Sequence, residues 1–284
     1  MQNIVHEEEF KIIQPFLRWA GGKRWFVKHI DNFLPLNFNN YHEPFLGGAS
    51  IFLYLKNNGK IKHQAFLSDF NEDLVNAYKQ IQLSYKEIIN YLEGYKNEKE
   101  DYYRIRSLTP QNDIEKAAIF IFLNRTSYNG IYRVNSNGQY NVPFGYRKGK
   151  AILENSDFSY LNNLFNKSTK FDVGDFDIIK QNLKERDLVF LDPPYTVAHE
   201  NNGFIQYNQQ IFSWEDQERL AKLLTYISEQ KAYFILTNAA HDSIKELFGS
   251  LGSLTIIQRP STIGGKGAKR TLVNEYIFSN IKKD

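Results

Sequence analysis

The segment Phe190-Leu191-Asp192-Pro193-Pro194-Tyr195 sets an acid at the end of a short apolar run, fixes the next turn with two prolines and follows it with an aromatic ring. Proline carries no backbone N–H, so Asp192 and Pro193 present rigid carbonyl acceptors. Two acceptors suit an exocyclic NH2, which has two protons to donate. Such an amine is a poor nucleophile because its lone pair is delocalised into the ring. Holding both protons favours a pyramidal nitrogen whose lone pair points at a methyl donor. Tyr195 can stack on the ring and keep it in line. Catalysis would then rest on positioning and preorganised electrostatics, with Asp192, Pro193 and Tyr195 as the catalytic candidates. A bare Asp-Pro-Pro turn can also simply cap a strand; the apolar run before it and the tyrosine after it favour chemistry.

Two further segments can hold a ligand. In Tyr41-His42-Glu43-Pro44-Phe45-Leu46-Gly47-Gly48-Ala49-Ser50, a glycine pair precedes a helix, and glycine lets a ligand approach the backbone. Asp69 follows Gly48 by 21 residues, at the end of the next apolar run, where a carboxylate can accept from both ribose hydroxyls. The glycine loop alone reads equally well as a structural turn. The dinucleotide fingerprint G-x-G-x-x-G is absent, so a nucleoside fits better than a dinucleotide, and an oxidoreductase is disfavoured. Phe16-Leu17-Arg18-Trp19-Ala20-Gly21-Gly22-Lys23-Arg24 is not a phosphate-binding P-loop, since Leu17 and Arg24 stand where glycine and Ser or Thr are required. A cation in a first helical turn opposes the helix dipole, so Lys23 asks for another partner, such as a ligand carboxylate.

The elements that must position these residues alternate. Apolar spacing predicts helices over Lys23–Leu34, Ala49–Asn57 and Asn71–Ser84. Ala65–Leu67, Leu188–Leu191, Tyr233–Leu236 and Leu254–Ile257 read as strands. Buried strands followed by helices indicate an α/β domain with a largely parallel sheet, which binds ligands beyond the carboxyl ends of its strands. From about Tyr85 to Phe165 the pattern turns helical, with no buried strand. Inside it, Asn137-Gly138 flanked by β-prone residues predicts a projecting hairpin with a type I′ turn. Gly264-Gly265-Lys266-Gly267 reads as a mobile basic loop.

Composition narrows the class. Of the 284 residues 42% are apolar, enough for a normal core, and 15% are aromatic, a surplus that serves either packing or base stacking. The net charge of +3 is uneven: Arg104, Arg106, Lys116, Arg125, Arg133, Arg147, Lys148 and Lys150 make residues 102–150 net basic, and residues 256–284 are basic too, while the rest is acidic. Such segments suggest a local polyanion footprint, although a solvated surface would look the same. The absence of cysteine excludes disulfides, thiol catalysis and Cys-ligated zinc. The acidic start Met1–Glu9 reads as no signal peptide, and the longest apolar run, Ala117–Leu123, is too short to span a bilayer. A soluble, cytoplasmic protein is expected.

Trp19-Ala20-Gly21-Gly22-Lys23, Glu43-Pro44-Phe45-x-Gly47-Gly48, Ser68-Asp69-x-Asn71 and Asp192-Pro193-Pro194-Tyr195, in that order, resemble the Dam-like (D12 class, α-group) DNA adenine-N6 methyltransferases. The resemblance runs from about Pro15 to the C-terminus. It implies a Rossmann-like methyltransferase domain over 10–84 and 166–284, and a smaller, mostly helical target-recognition domain with a β-hairpin over 85–165. It implies S-adenosyl-L-methionine as cofactor, with Trp19, Ala20, Gly21, Lys23, Glu43, Pro44, Phe45, Gly47, Ser50, Asp69, Phe70, Phe176 and Asp192 around it, and no metal. Lys23 would lie near the cofactor carboxylate, Asp69 on the ribose, and Phe70 and Phe176, the latter in Gly174-Asp175-Phe176, against the adenine.

The resemblance extends to Asn124–Gly130, Arg133-Val134-Asn135 and Asn141–Gly145, implying double-stranded DNA as partner. It implies Arg125, Tyr128, Asn129, Arg133, Asn135, Asn137 and Pro143 at the DNA. A hairpin can enter the major groove, where Arg133 could bridge guanine O6 and N7 or meet a phosphate, and Asn135 could read base edges. Lys148, Lys150, Lys266, Lys269 and Arg270 suit phosphates. One adenine would be turned out of the stack, because N6 is otherwise paired. Ser136-Asn137 at the hairpin tip departs from some GATC-methylating relatives, so GATC or a related short site is expected. A companion restriction endonuclease would be a functional partner, not a physical one, and the chain a monomer or weak dimer. Competing readings are methylation of another planar amine, such as cytosine N4 or an RNA base, and a sequence-specific DNA-binding protein without catalysis.

Overall fold

The computed structural model describes residues 15–146, 158–196, 212–260 and 272–282. The basic residues Lys148, Lys150, Lys266, Lys269 and Arg270 and the Gly264–Gly267 loop lie outside them.

A seven-stranded sheet forms the centre, in the order β3-β2-β1-β4-β5-β7-β6. Its strands are β1 (Tyr41–Glu43), β2 (Ala65–Asp69), β3 (Thr169–Val173), β4 (Leu188–Leu191), β5 (Tyr233–Ala239), β6 (Ser253–Pro260) and β7 (Leu272–Ser279). The first five pair in parallel, and β7 and β6 close one side antiparallel. The α/β class expected from the alternating pattern is therefore what forms. Strand β4 is buried throughout because both faces are covered. Its side chains alternate with period two: Leu188 and Phe190 join one core, Val189 and Leu191 the other.

The helices are α1 (Ser50–Asn57), α2 (Glu72–Glu93), α3 (Lys99–Arg106), α4 (Asp113–Thr126), α5 (Phe158–Leu164), α6 (Trp214–Glu229) and α7 (Asp242–Phe248). Helix α2 begins at an Asn71 cap, whose side chain accepts from Leu74 N, and continues past the expected end through a kink at Ser84. Helix α4 packs on α2 and is buried all round from Ala117 to Leu123. The apolar run that is too short for a bilayer is thus a core helix, and no described helix is long and apolar enough to cross a membrane. Residues 85–146 add no strand to the sheet.

Two local expectations are corrected. Lys23–Leu34 is not one helix but two 3-10 turns, Lys23–Trp25 and Ile30–Phe33. Gly22 supplies no side-chain cap, and the first turn holds no acid to favour the helix dipole. The hairpin is joined by the Val134–Tyr140 bridge, but its turn is not type I′. Gly138 N–H bonds to Asn135 O at 2.9 Å, and only Gly138 in this loop has a positive φ, +74°. A type I′ turn needs two such residues; here a wider loop ends in one left-handed glycine. Asn135 Oδ1 prefers this form by accepting from the backbone of both Asn137 and Gln139 at 3.0 Å.

Candidate active site

The chain runs from β1 outward to β2, and β4 begins on the opposite side of β1. The crevice between β1 and β4 is therefore a topological switch point, where open parallel sheets bind ligands. Glu43 ends β1 and Asp192 follows β4, so both acids stand at its mouth.

Asp192 Oδ1 lies 2.6 Å from Lys23 Nζ and accepts from Thr237 Oγ1 at 2.8 Å. Burial pushes the Asp192 carboxyl up from its ordinary value, while Lys23 and Thr237 draw it down. Lys23 is itself buried and also donates to Gly21 O at 3.2 Å. Its ammonium sits 4.9 Å from the Tyr195 ring centroid. The tyrosine hydroxyl in turn donates to Glu275. The structure thus gathers Lys23, Asp192 and Tyr195 into one cluster, and gives Lys23 a protein partner that its sequence position did not reveal.

The glycine loop meets β2 at Asp69. Gly47 N–H donates to Asp69 Oδ2 at 2.9 Å, and Asn71 N–H to Oδ1 at 3.0 Å. A side chain at Gly47 would stand 2.9 Å from Trp19 Cδ1, on a backbone of φ +45°. Glycine alone allows the loop to lie against Trp19 and still reach Asp69. Phe70, next in sequence, is 82% exposed, an aromatic face turned to solvent. Phe45 stacks on Phe176 at 5.5 Å, and Phe212 closes on both. Pro44 and Ser50 are buried beside this loop, whereas Ala20 and Gly21 are exposed.

The end of α4 is tied to the Pro15–Trp19 segment. Asn124 Oδ1 accepts from Arg18 N–H at 2.8 Å and its amide donates to Arg18 O at 2.8 Å; Arg125 Nη1 donates to Phe16 O at 2.7 Å. Trp19 stacks on Tyr132 at 5.7 Å. A cleft of about 530 Å³ opens here, lined by Arg18, Arg24, Arg125 and Arg259, the Trp19–Gly22 turn and Asn129.

The sequence pattern of the D12 class N6 adenine-specific DNA methyltransferases matches residues 19–262. The chain belongs to this family. The type II methyltransferase M1.LlaDCHI of Lactococcus lactis subsp. cremoris is 32% identical, over 98% of this chain and 99% of its own. The type II methyltransferase M.MjaIII of Methanocaldococcus jannaschii is 32% identical, over 91% and 95%. The DNA adenine methylase of Salmonella typhi is 28% identical, over 92% and 93%.

In this D12-class methyltransferase the expected DNA contacts fall into two places. Arg125 and Asn129 line the cleft, with Tyr128 exposed between them in sequence. Arg133, Asn135 and Asn137 are exposed on the hairpin, and Pro143, also exposed, accepts from Tyr128 N–H at 2.9 Å. Arg133 Nε is held by Asn141 Oδ1 at 2.7 Å. Three residues at the Lys23–Asp192–Tyr195 cluster escaped the sequence reading: Thr237, Arg259 and Glu275. Glu275 carries the readable signal, an acid beside the strand-like run Tyr276-Ile277-Phe278. Arg219 also escaped: it lies over the Phe176 ring at 4.6 Å and binds Asp175, Asp177 and Asp216, locking the Gly174–Phe176 turn.

Proposed function

We propose that the chain transfers the methyl group of S-adenosyl-L-methionine to N6 of an adenine turned out of duplex DNA, within GATC or a related short site. The observation that carries this reading is the convergence of Asp192, Lys23 and Tyr195 at the same switch point as the Gly47–Asp69 loop.

The residues fit the cofactor. Asp69 is a carboxylate already oriented by two backbone N–H groups, suited to a ribose diol. Phe70 offers an exposed ring, and Phe45 and Phe176 a second aromatic face, for an adenine. Lys23 has three donors, so it can keep Asp192 and Gly21 O and still direct one at a ligand carboxylate. When bound, the cofactor supplies an electrophilic methyl carbon with its own leaving group.

The protein's own part is positioning. Lys23 and Thr237 both engage Asp192 Oδ1, which leaves Oδ2 and the backbone carbonyls of the Asp192-Pro193 turn to accept from a target amine. Tyr195 presents its ring for stacking. Asp192 acts as an acceptor, and strong general-base chemistry is not required. The arginine-lined cleft suits the sugar–phosphate backbone beside an extruded nucleotide. Residues 85–165 serve as target-recognition insert, with Arg133 and Asn135 as base readers. The type II names of the relatives favour a restriction–modification setting.

Expression in a methylation-free host followed by long-read mapping tests this. N6-methyladenine at one short motif is the expected result. An unmodified genome, or methyl groups on cytosine, would overturn it.

A further inference from the structure

Glu275 lies in β7, paired with Ala239 of β5 on one side and Ile257 of β6 on the other, and has no exposure to solvent. Its two oxygens divide their work. Oε2 accepts from the Tyr195 hydroxyl, and Oε1 accepts from Arg259 Nε at 2.6 Å and lies 2.5 Å from Arg259 Nη2. Arg259, on β6, also faces the Trp25 ring at 5.6 Å and lines the cleft.

A buried ion pair is a poor means of stabilising a sheet, because desolvating both charges offsets most of their attraction. Well-packed apolar residues would serve the β5–β7–β6 register as well. What the pair supplies that apolar residues cannot is a fixed acceptor for one phenol. Tyr195 is thereby held from two sides, by Lys23 against its ring and by Glu275 at its hydroxyl.

We infer that Arg259 and Glu275 are a positioning pair, which fixes the Tyr195 ring in the orientation that receives the target base. This rests on the proposed function, in which Tyr195 stacks on that base. Arg259 compensates the buried Glu275 charge and orients the carboxylate; Glu275 holds the phenol. Burial, and next the Glu275 charge, push the Tyr195 phenol well up, so the proton stays on the tyrosine as donor. Glu275 itself does not have to touch the substrate.

The test is a cycle of Tyr195→Phe, Glu275→Gln and the double variant. Single turnovers use labelled S-adenosylmethionine and unmethylated genomic DNA. Each single change is expected to slow transfer about tenfold, with cofactor affinity unchanged, and the double variant to match the slower single one. If the losses multiply, or if cofactor affinity falls instead, the pair acts by another route and the inference is overturned. A second readout needs no turnover: in protein labelled at tyrosine Cζ, the Tyr195 resonance should move on Glu275→Gln, and an unmoved resonance overturns the contact. Should Glu275→Gln fail to fold, Arg259→Lys takes its place in the cycle. A wild type inert on DNA would sink the proposed function itself; an active wild type with multiplying losses sinks this inference alone.

Discussion

Lys23 Nζ and Asp192 Oδ1 lie 2.6 Å apart, joining the start of the first 3-10 turn to the residue that follows β4. The two residues are 169 positions apart in sequence. Among the influences on the Asp192 carboxyl, Lys23 is the largest that opposes burial.

Removing that cation has a signed consequence. In Lys23→Met, burial acts on Asp192 with less opposition, so its carboxyl rises further. The acid limb of the kcat–pH profile moves to higher pH, because the ionised acceptor is lost sooner as pH falls. Asp192→Ala goes further: transfer drops by on the order of a hundredfold or more, while DNA affinity changes little. Retained kcat in Asp192→Ala would contradict the role given to this acid.

Asp69 can be separated from Asp192 by which constant it changes. A carboxylate accepting from two hydroxyls contributes about 1.5–3 kcal/mol per charged hydrogen bond. Asp69→Ala should therefore weaken cofactor binding by on the order of a hundredfold to ten-thousandfold if both bonds are lost, with much of kcat recovered at saturating cofactor. Because Asp69 also holds Gly47 N–H, the neighbouring loop loosens too. Calorimetric titration reads the affinity directly, and an unchanged value would remove Asp69 from the site.

Both of these acids are readily read from sequence. Asp192 and Asp69 each end a short apolar run, so strand and acid announce each other locally. The parallel sheet was legible for the same reason, since β4 and the first half of β5, Tyr233–Leu236, are continuous apolar runs. Glu275 and Arg259 were not, because their meaning lies in a side-chain pair between the neighbouring strands β6 and β7, which no local pattern in either strand shows. Lys23–Leu34 shows the opposite failure. Phe26, Val27 and Ile30 are buried at helical spacing, yet short turns satisfy the same burial without a continuous helix. The hairpin was legible as a hairpin; its turn type was not, because Asn135 adds hydrogen bonds that a dipeptide rule leaves out.

Glu43 couples the site to pH. Burial pushes its carboxyl up to about 8; the Tyr41 hydroxyl at 2.7 Å opposes this, and the Asp192 charge adds to it. The folded chain then keeps a proton that the unfolded chain releases near 4.5. This contribution to stability is fully present below about 4.5 and is lost as pH rises toward about 8. Glu43→Gln should flatten the fall of the urea midpoint across that window. A cationic sulfonium cofactor favours the ionised carboxylate, so its binding near neutrality should release a proton. Calorimetry in buffers of different ionisation enthalpy measures that release, and an equal release from Glu43→Gln would exclude Glu43 as its source.

Arg133 decides whether the hairpin reads sequence. It is exposed, and its guanidinium is held by the Asn141 side chain and carbonyl, so it stands ordered at the base of the hairpin before DNA arrives. Ordering in advance lowers the entropy spent on a bidentate contact. If Arg133 bridges guanine O6 and N7, Arg133→Ala should cost about 1–3 kcal/mol on the preferred site, relax discrimination at one base pair and leave the salt dependence nearly intact. If it meets a phosphate, binding weakens equally on all sequences and the slope of log K against log salt falls by about one. Affinities on the mapped motif and on single-base variants, each at several salt concentrations, separate the two. The second pattern would move base reading from Arg133 to another residue of the hairpin or the cleft.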